Sequence, residues 1–214
     1  MDFAQAFSFP FQDKEWIKKV GVTALIALIP IVGWIAVLGW SLEIARRVIR
    51  GEGPVLPDWS NFGGLIGLGL KGFVVGLVFS IPSVVLSLPS SLMSAFADSE
   101  QLVTVLSILS ICTGCLSLLY AIAFMFVVPA AAGQLAATDS LAEAFNVRKL
   151  VSLIRNAPAA YLIVILGLLV AGIIAPLGVI ACVIGVFFTL AYTMAIHGHL
   201  FGQAYLQGSK AAAA

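Results

Sequence analysis

The chain has 214 residues, of which 61% are apolar and 10% are charged, with 11 basic and 10 acidic side chains. Its mean hydropathy is +1.11. About a quarter of the residues of a soluble domain are charged, so this composition excludes a soluble globular domain and a disordered chain. A net charge of +1 without a basic stripe excludes a nucleic-acid-binding protein. We therefore predict one transmembrane helical domain, residues 1–208.

The two ends of the chain carry no fold signal of their own. The N-terminal segment 1–16 lacks the basic start and apolar core of a cleavable signal peptide, so we expect it to persist. Residues 209–214 resemble a tail or an expression remnant and are left out of the predicted domain.

Five apolar runs follow one another along the chain, at 20–42, 72–88, 102–128, 159–175 and 177–196. A transmembrane helix needs about 20 such residues. Pro30 and Gly33 interrupt the first run, and Pro176 and Gly178 separate the last two, so each pair predicts a turn or a kink. The predicted fold class is all-α: a polytopic membrane bundle of six helices arranged as hairpins, or of five if the first run is one kinked helix.

The positions of the basic residues favour six helices. Lys and Arg near span ends favour the cytoplasmic side. Six basic residues flank the first run, three before it (Lys14, Lys18 and Lys19) and three after it (Arg46, Arg47 and Arg50). A hairpin turning at 30–33 places them all on one side, together with both termini. Each arm has only about ten residues, or about 15 Å, so this hairpin is expected to be short or re-entrant.

The segment 140–156 predicts an interfacial amphipathic helix. Leu150 and Leu153 share one face, whereas Arg148 and Arg155 point elsewhere.

Glycines four residues apart, Gly63 with Gly67 and Gly72 with Gly76, predict helix faces without side chains, which a neighbouring helix can approach closely.

Two short motifs resemble ligand sites but have stronger structural explanations. Cys112 and Cys115 have the C-x-x-C spacing, yet no second pair completes four ligands, and Cys182 lies in another run. His197 and His199 are two apart, which on a helix separates them by about 200°. We expect packing cysteines and interfacial histidines, although the sequence leaves open whether either pair binds anything. No catalytic, cofactor-binding or metal-binding residue is predicted, and the chain is not expected to be an enzyme.

Polar groups inside the runs are few. The run 102–128 carries a stripe of hydroxyl side chains at steps of three and four residues: Ser107, Ser110, Thr113, Ser117 and Tyr120. Such a stripe either forms hydrogen bonds with a neighbouring helix or lines a narrow water-filled path. Glu43 precedes Arg46 and Arg47 by three and four residues, which predicts local ion pairs. Asp139 and Glu143 are expected to be solvated near the cytoplasmic surface.

The order of several landmarks resembles a family of prokaryotic membrane proteins known as domain of unknown function 4013. The landmarks are the segment 9–19 with FPF, Asp13, Trp16 and two lysines, the turn at 30–33, residues 46–51, LPDW at 56–59, GLK at 69–71, SL and AF within 140–145, and HLFGQAY at 199–205. Trp40 stands where a tyrosine is expected. The resemblance implies a multi-span helical membrane protein without an established activity, and so carries over no functional residues.

These features predict a non-catalytic scaffold or accessory subunit of a prokaryotic inner membrane. Its expected partners are the lipid bilayer and other membrane protein subunits or copies of itself, with no nucleic acid and no cofactor. The alternative is a small transporter or channel for a neutral or lipidic solute, because proline breaks both end hairpins and the run 102–128 carries the polar stripe.

Overall fold

A computed structural model describes residues 1–53, 55–96 and 98–213, without the side chains of residues 94, 181–184, 212 and 213. These residues form helices and turns, with no strand in the described part. The helices are α1 (Phe3–Ser8), α2 (Trp16–Ala27), α3 (Val32–Arg50), α4 (Phe62–Leu92), α5 (Glu100–Thr138), α6 (Leu141–Ala144), α7 (Val147–Asn156), α8 (Pro158–Leu177) and α9 (Cys182–Ala213). Residues 209–213 continue α9, and residue 214 lies outside the described residues.

The first apolar run forms two helices rather than one kinked helix. The α2 helix ends at Ala27, Pro30 lies in the turn, and Gly33 is the second residue of α3. The two helices pack as a hairpin, because a Cβ atom on Gly33 would collide with the Ile26 carbonyl. With 12 residues, α2 is about 18 Å long at about 1.5 Å per residue. It is therefore too short to cross a bilayer.

Three helices in the described part are long and apolar enough to cross a membrane: α4, α5 and α8 with the turn that follows it. The α4 and α5 helices form a long hairpin, and α8 pairs with α9. The prediction of an all-helical chain is confirmed, whereas the count of six spans stays a prediction. Along α5 the first buried residue is Pro129, so residues 100–128 contribute no fully buried side chain to the core.

The α3 and α9 helices meet in one of the closest contacts of the core. Cβ atoms on Gly198 and Gly202 of α9 would collide with backbone carbonyls of Ser41 and Ala45, so the two helices approach each other closely. Trp40 of α3 is one of the largest fully buried side chains of the protein. Small residues at a helix contact allow such an approach and the packing that comes with it.

The amphipathic segment is divided into two helices, which corrects the prediction of one helix over 140–156. Ser140 caps α6, and the side chain of Asn146 accepts a hydrogen bond from the Lys149 N–H at the start of α7. An asparagine cap stabilises a new helix start, so the chain turns there. The predicted face is present in α7, where Leu150 and Leu153 are buried and the basic side chains are exposed.

Candidate functional site

Four charged side chains at one end of the bundle join α3, α4 and α5, and we call Glu43, Arg46, Lys71 and Asp139 the charged cluster. Arg46 Nη2 lies 3.0 Å from Asp139 Oδ1, and Lys71 Nζ lies 3.2 Å from Asp139 Oδ2. Arg46 also pairs with Glu43 at 3.4 Å and donates from Nε to the Ala136 carbonyl. Cations at the carboxyl end of a helix satisfy its last carbonyls, so the cluster fastens the end of α5 to α3 and α4.

Asp139 occupies the centre of this cluster because of its backbone conformation. It ends α5 in the left-handed region at φ 57°, a conformation that aspartate adopts more readily than most residues. Partial burial opposes ionisation of its carboxyl, but hydrogen bonds and charges from Lys71 and Arg46 outweigh that effect and lower its pKa. The carboxyl is therefore an anion held between two cations.

A second ion pair ties the N-terminal segment to the loop after α3. Lys19 is buried, and its Nζ lies 2.6 Å from Asp13 Oδ2 and 2.9 Å from the Leu56 carbonyl. In the same loop Trp59 donates from Nε1 to Thr23. A buried ammonium is tolerated only when it is paired and hydrogen-bonded, so these contacts fix the loop over α2.

An apolar groove of about 520 Å³ adjoins the charged cluster and has walls from α3, α4, α5 and α9. Its polar lining side chains are Ser41 and Ser80, whose hydroxyls donate to the Met194 and Leu77 carbonyls. The surface that remains is hydrocarbon. Ligand pockets have volumes of about 300–1,000 Å³, so the groove is large enough for an apolar chain.

A family model described as protein of unknown function (DUF4013) matches residues 22–197. This chain belongs to that family. Neither a curated protein nor a solved structure matches the chain. The resemblance inferred from the sequence landmarks is thereby confirmed, and it extends over most of the described helices.

The glycines predicted to form packing faces occupy different environments in this DUF4013 member. A Cβ atom on Gly72 would meet Leu42 of α3, whereas a Cβ atom on Gly63, Gly67 or Gly76 would meet nothing within 4 Å. The closest approach of α3 and α4 is instead at Gly39 and Gly69, where a Cβ atom would collide with a backbone carbonyl of the other helix. Sequence analysis missed both, although Gly69 lies within the same glycine-rich segment.

The second predicted helix break is a change of helix type in the DUF4013 chain. Pro176 lies inside the last turn of α8, and Gly178 begins a short 3-10 turn, Gly178–Ala181, that leads into α9. A Cβ atom on Gly178 would collide with the Gly185 carbonyl. The glycine therefore permits a tight connection between the two helices.

The cysteine and histidine pairs do not form a ligand cluster. Cys112 and Cys115 are exposed free thiols on α5, and the side chain of Cys182 lies outside the described residues. The interfacial position of the two histidines stays a prediction, while His199 is buried within the protein and stacks on Phe9 with ring centroids 4.4 Å apart. The reason is that the N-terminal segment folds over α9. Within the described part of the chain, no three His, Cys, Asp or Glu side chains are placed to hold a metal ion.

The polar stripe of α5 faces α4 in this DUF4013 member. Its members are half-buried while their neighbours on α5 are exposed. Ser107, Thr113 and Ser117 donate to carbonyls of their own helix, and Tyr120 donates to the Phe79 carbonyl of α4. The hydroxyls are used in packing, which is one of the two roles predicted for them.

Proposed function

We propose that this DUF4013 member is a non-catalytic scaffold or accessory subunit that presents the α4–α5 hairpin to partners within the membrane. The observation that carries the proposal is the unburied apolar length of α5. None of residues 100–128 is buried, although their hydropathy is that of a membrane span. Large exposed apolar surfaces mark contacts with other proteins or with lipid.

The cluster and the hairpin complement each other in this role. The charged cluster holds the base of the hairpin to α3. Four hydroxyls of the polar stripe donate to carbonyls of α4 and α5, and Ser110 donates to the Met93 sulfur. A hairpin satisfied internally and anchored at one end offers the rest of its apolar surface to other molecules. The transport alternative loses support, because the stripe that suggested a wet path lies in the α4–α5 contact.

We further propose a location in the cytoplasmic membrane of a prokaryote, with several spans and both termini on the cytoplasmic side. Arg46, Lys71 and Lys149 all lie at the end of the bundle that holds Asp139 and Glu143. The backbone N–H of Asp2 donates to the Gln203 side chain of α9, so the N-terminal segment lies against the C-terminal half of α9. The positive-inside rule assigns such a basic end to the cytoplasm.

Native mass spectrometry combined with photo-crosslinking tests the scaffold role. A photoreactive residue replaces Ile111 of α5, whose side chain is 71% exposed. The matched control replaces Ile180, which is also exposed and lies in the turn between α8 and α9. We expect a protein complex of fixed stoichiometry in lipid nanodiscs, with protein crosslinks from position 111 and lipid adducts alone from position 180. A monomer with lipid adducts at both positions would refute the scaffold role.

A further inference from the structure

The apolar groove opens on the side of the bundle. Phe73 and Leu77 of α4 line it and are each about half exposed, whereas Leu42, Val75 and Leu135 line it from buried positions. At roughly 30 Å³ for each water-sized group, the 520 Å³ of the groove holds about 17 methylene-sized groups. This is the size of one fatty acyl chain, so the groove fits a single chain better than a whole lipid.

The charged cluster lies next to one end of the groove. Asp139 follows the lining residue Leu135 by four residues, and Lys71 precedes the lining residue Val75 by four. Four residues are about one helical turn, or about 5.4 Å. An acyl chain in the groove would therefore place its headgroup beside Lys71 and Asp139.

The chemistry of this end specifies the headgroup. Arg46 is occupied by Glu43, Asp139 and the Ala136 carbonyl. Lys71 directs its ammonium at the carbonyl and the carboxylate of Asp139, and the two side chains are 37% and 56% exposed. An ammonium has three N–H donors, and each carboxylate oxygen accepts two hydrogen bonds. The exposed pair thus retains a donor on Lys71 and an acceptor on Asp139.

We propose that this groove binds one acyl chain of a phospholipid whose headgroup carries a phosphate and a primary ammonium. The phosphate accepts a hydrogen bond from Lys71, and the ammonium donates to the carboxylate of Asp139. The charged cluster has two cations and two carboxylates, so a lipid with an anionic headgroup and no ammonium adds a negative charge that the cluster does not balance. A quaternary ammonium has no N–H to donate. The proposal goes beyond the scaffold role and does not require a protein partner.

Lipid retention measured by native mass spectrometry tests the site. The protein is delipidated and then incubated separately with phosphatidylethanolamine, phosphatidylglycerol and phosphatidylcholine of identical acyl chains. We expect one bound phosphatidylethanolamine, retained about fivefold better than the other two, which corresponds to about 1 kcal/mol. Equal retention of the three lipids would overturn the headgroup assignment.

Two glycine variants test the groove itself. Gly76 lines the groove and Gly67 does not, yet a Cβ atom at either position meets nothing within 4 Å. Gly76→Leu is expected to fill the groove and abolish retention, while Gly67→Leu retains the lipid. Both variants must elute as monodisperse helical protein. Retention by Gly76→Leu equal to that of the unaltered protein would overturn the site.

A third variant distinguishes recognition of the lipid headgroup from binding of the acyl chain. Asp139→Asn removes the carboxylate that receives the ammonium. We expect it to lose the preference for phosphatidylethanolamine over phosphatidylcholine while still binding one lipid. An unchanged preference would show that Asp139 does not read the headgroup. Because the readout is bound lipid, a failure here is distinct from failure of the hairpin to bind a protein.

Discussion

Arg46 reaches from α3 to the end of α5, where its Nη2 lies 3.0 Å from Asp139 Oδ1 and its Nε lies 3.1 Å from the Ala136 carbonyl oxygen. Arg46 and Asp139 are 93 positions apart in the sequence. One side chain therefore caps a helix and neutralises the carboxylate that ends it. It joins the α2–α3 hairpin to the base of the α4–α5 hairpin.

Removing this link is expected to destabilise the protein. The Arg46 side chain is largely buried, so Arg46→Met leaves Glu43 and Asp139 short of a partner. We expect a loss of about 1–2 kcal/mol, below that of a fully buried pair because Asp139 is more than half exposed and keeps Lys71. For a chain of this size the apparent Tm falls by about 3–6 °C, measured by differential scanning fluorimetry in detergent.

Arg50 provides the matched control for that variant. It pairs with Glu52 at 3.6 Å, and both side chains are more than half exposed. Exposed pairs contribute little, so Arg50→Gln is expected to change the stability by less than about 0.5 kcal/mol. Equal losses from the two variants would contradict the role assigned to Arg46.

The pair of Asp13 and Lys19 predicts a loss of stability in acid. Burial of the Asp13 carboxyl opposes its ionisation, but hydrogen bonds from Lys19 and the Glu15 backbone outweigh this and lower its pKa. A lowered folded-state pKa stabilises the protein above the unfolded value of about 3.9. That stability is lost as the pH falls through the folded value.

We therefore expect Asp13→Asn to be less stable at pH 7 and to change less between pH 5 and pH 3. The relevant measurement is the apparent Tm as a function of pH. Asp98→Asn, in the exposed turn before α5, serves as the control and should keep the slope of the unaltered protein. A slope unchanged by Asp13→Asn would show that the buried pair does not determine acid stability.

The contact of α3 with α4 predicts opposite effects of two glycine substitutions. A Cβ atom on Gly39 would collide with the Leu65 carbonyl, whereas one on Gly67 meets nothing within 4 Å. Gly39→Ala should cost more than about 2 kcal/mol, because backbone must move. Gly67→Ala should gain up to about 1 kcal/mol in helix propensity. Thermal unfolding compares them, and a stable Gly39→Ala protein would contradict the close approach.

The sequence predicted local pairing but could not predict which helix faces meet. The ion pairs of Glu43 with Arg46 and Arg47 follow from their spacing on one helix and are confirmed. Gly67 and Gly76 are nine residues apart, which at about 100° per residue places them on opposite sides of α4. Spacing shows which residues share a face, whereas only the tertiary structure shows that Gly69 faces α3.

The candidate site was predicted only in its parts. The basic ends of the apolar runs indicated a common charged end, and Asp139 was identified there. Its contacts with Arg46 and Lys71 depend on the left-handed backbone at Asp139 and on helices far apart in sequence. The groove likewise has walls from four helices. No single segment carries a signal for it.

The turn between α2 and α3 holds one residue in a strained backbone conformation, and a substitution can relieve that strain. Ile31 has φ 63° and ψ −67°, and the Val32 N–H donates to the Pro30 carbonyl at 2.7 Å. This is a γ-turn with a positive central φ, which is rare and strained, and β-branched residues rarely adopt it. The side chain is 75% exposed, so replacing it removes little packing.

Ile31→Gly is therefore expected to stabilise the protein by about 1 kcal/mol, because relief of about 1–3 kcal/mol of strain exceeds the entropic cost of glycine of about 0.5–1 kcal/mol. Leu28→Gly is the control, since Leu28 is also exposed but has an ordinary φ of −69°. It should lower the apparent Tm, while Ile31→Gly raises it. If both variants were destabilised equally, the turn would not hold Ile31 in the strained conformation, and the hairpin would turn at a different residue.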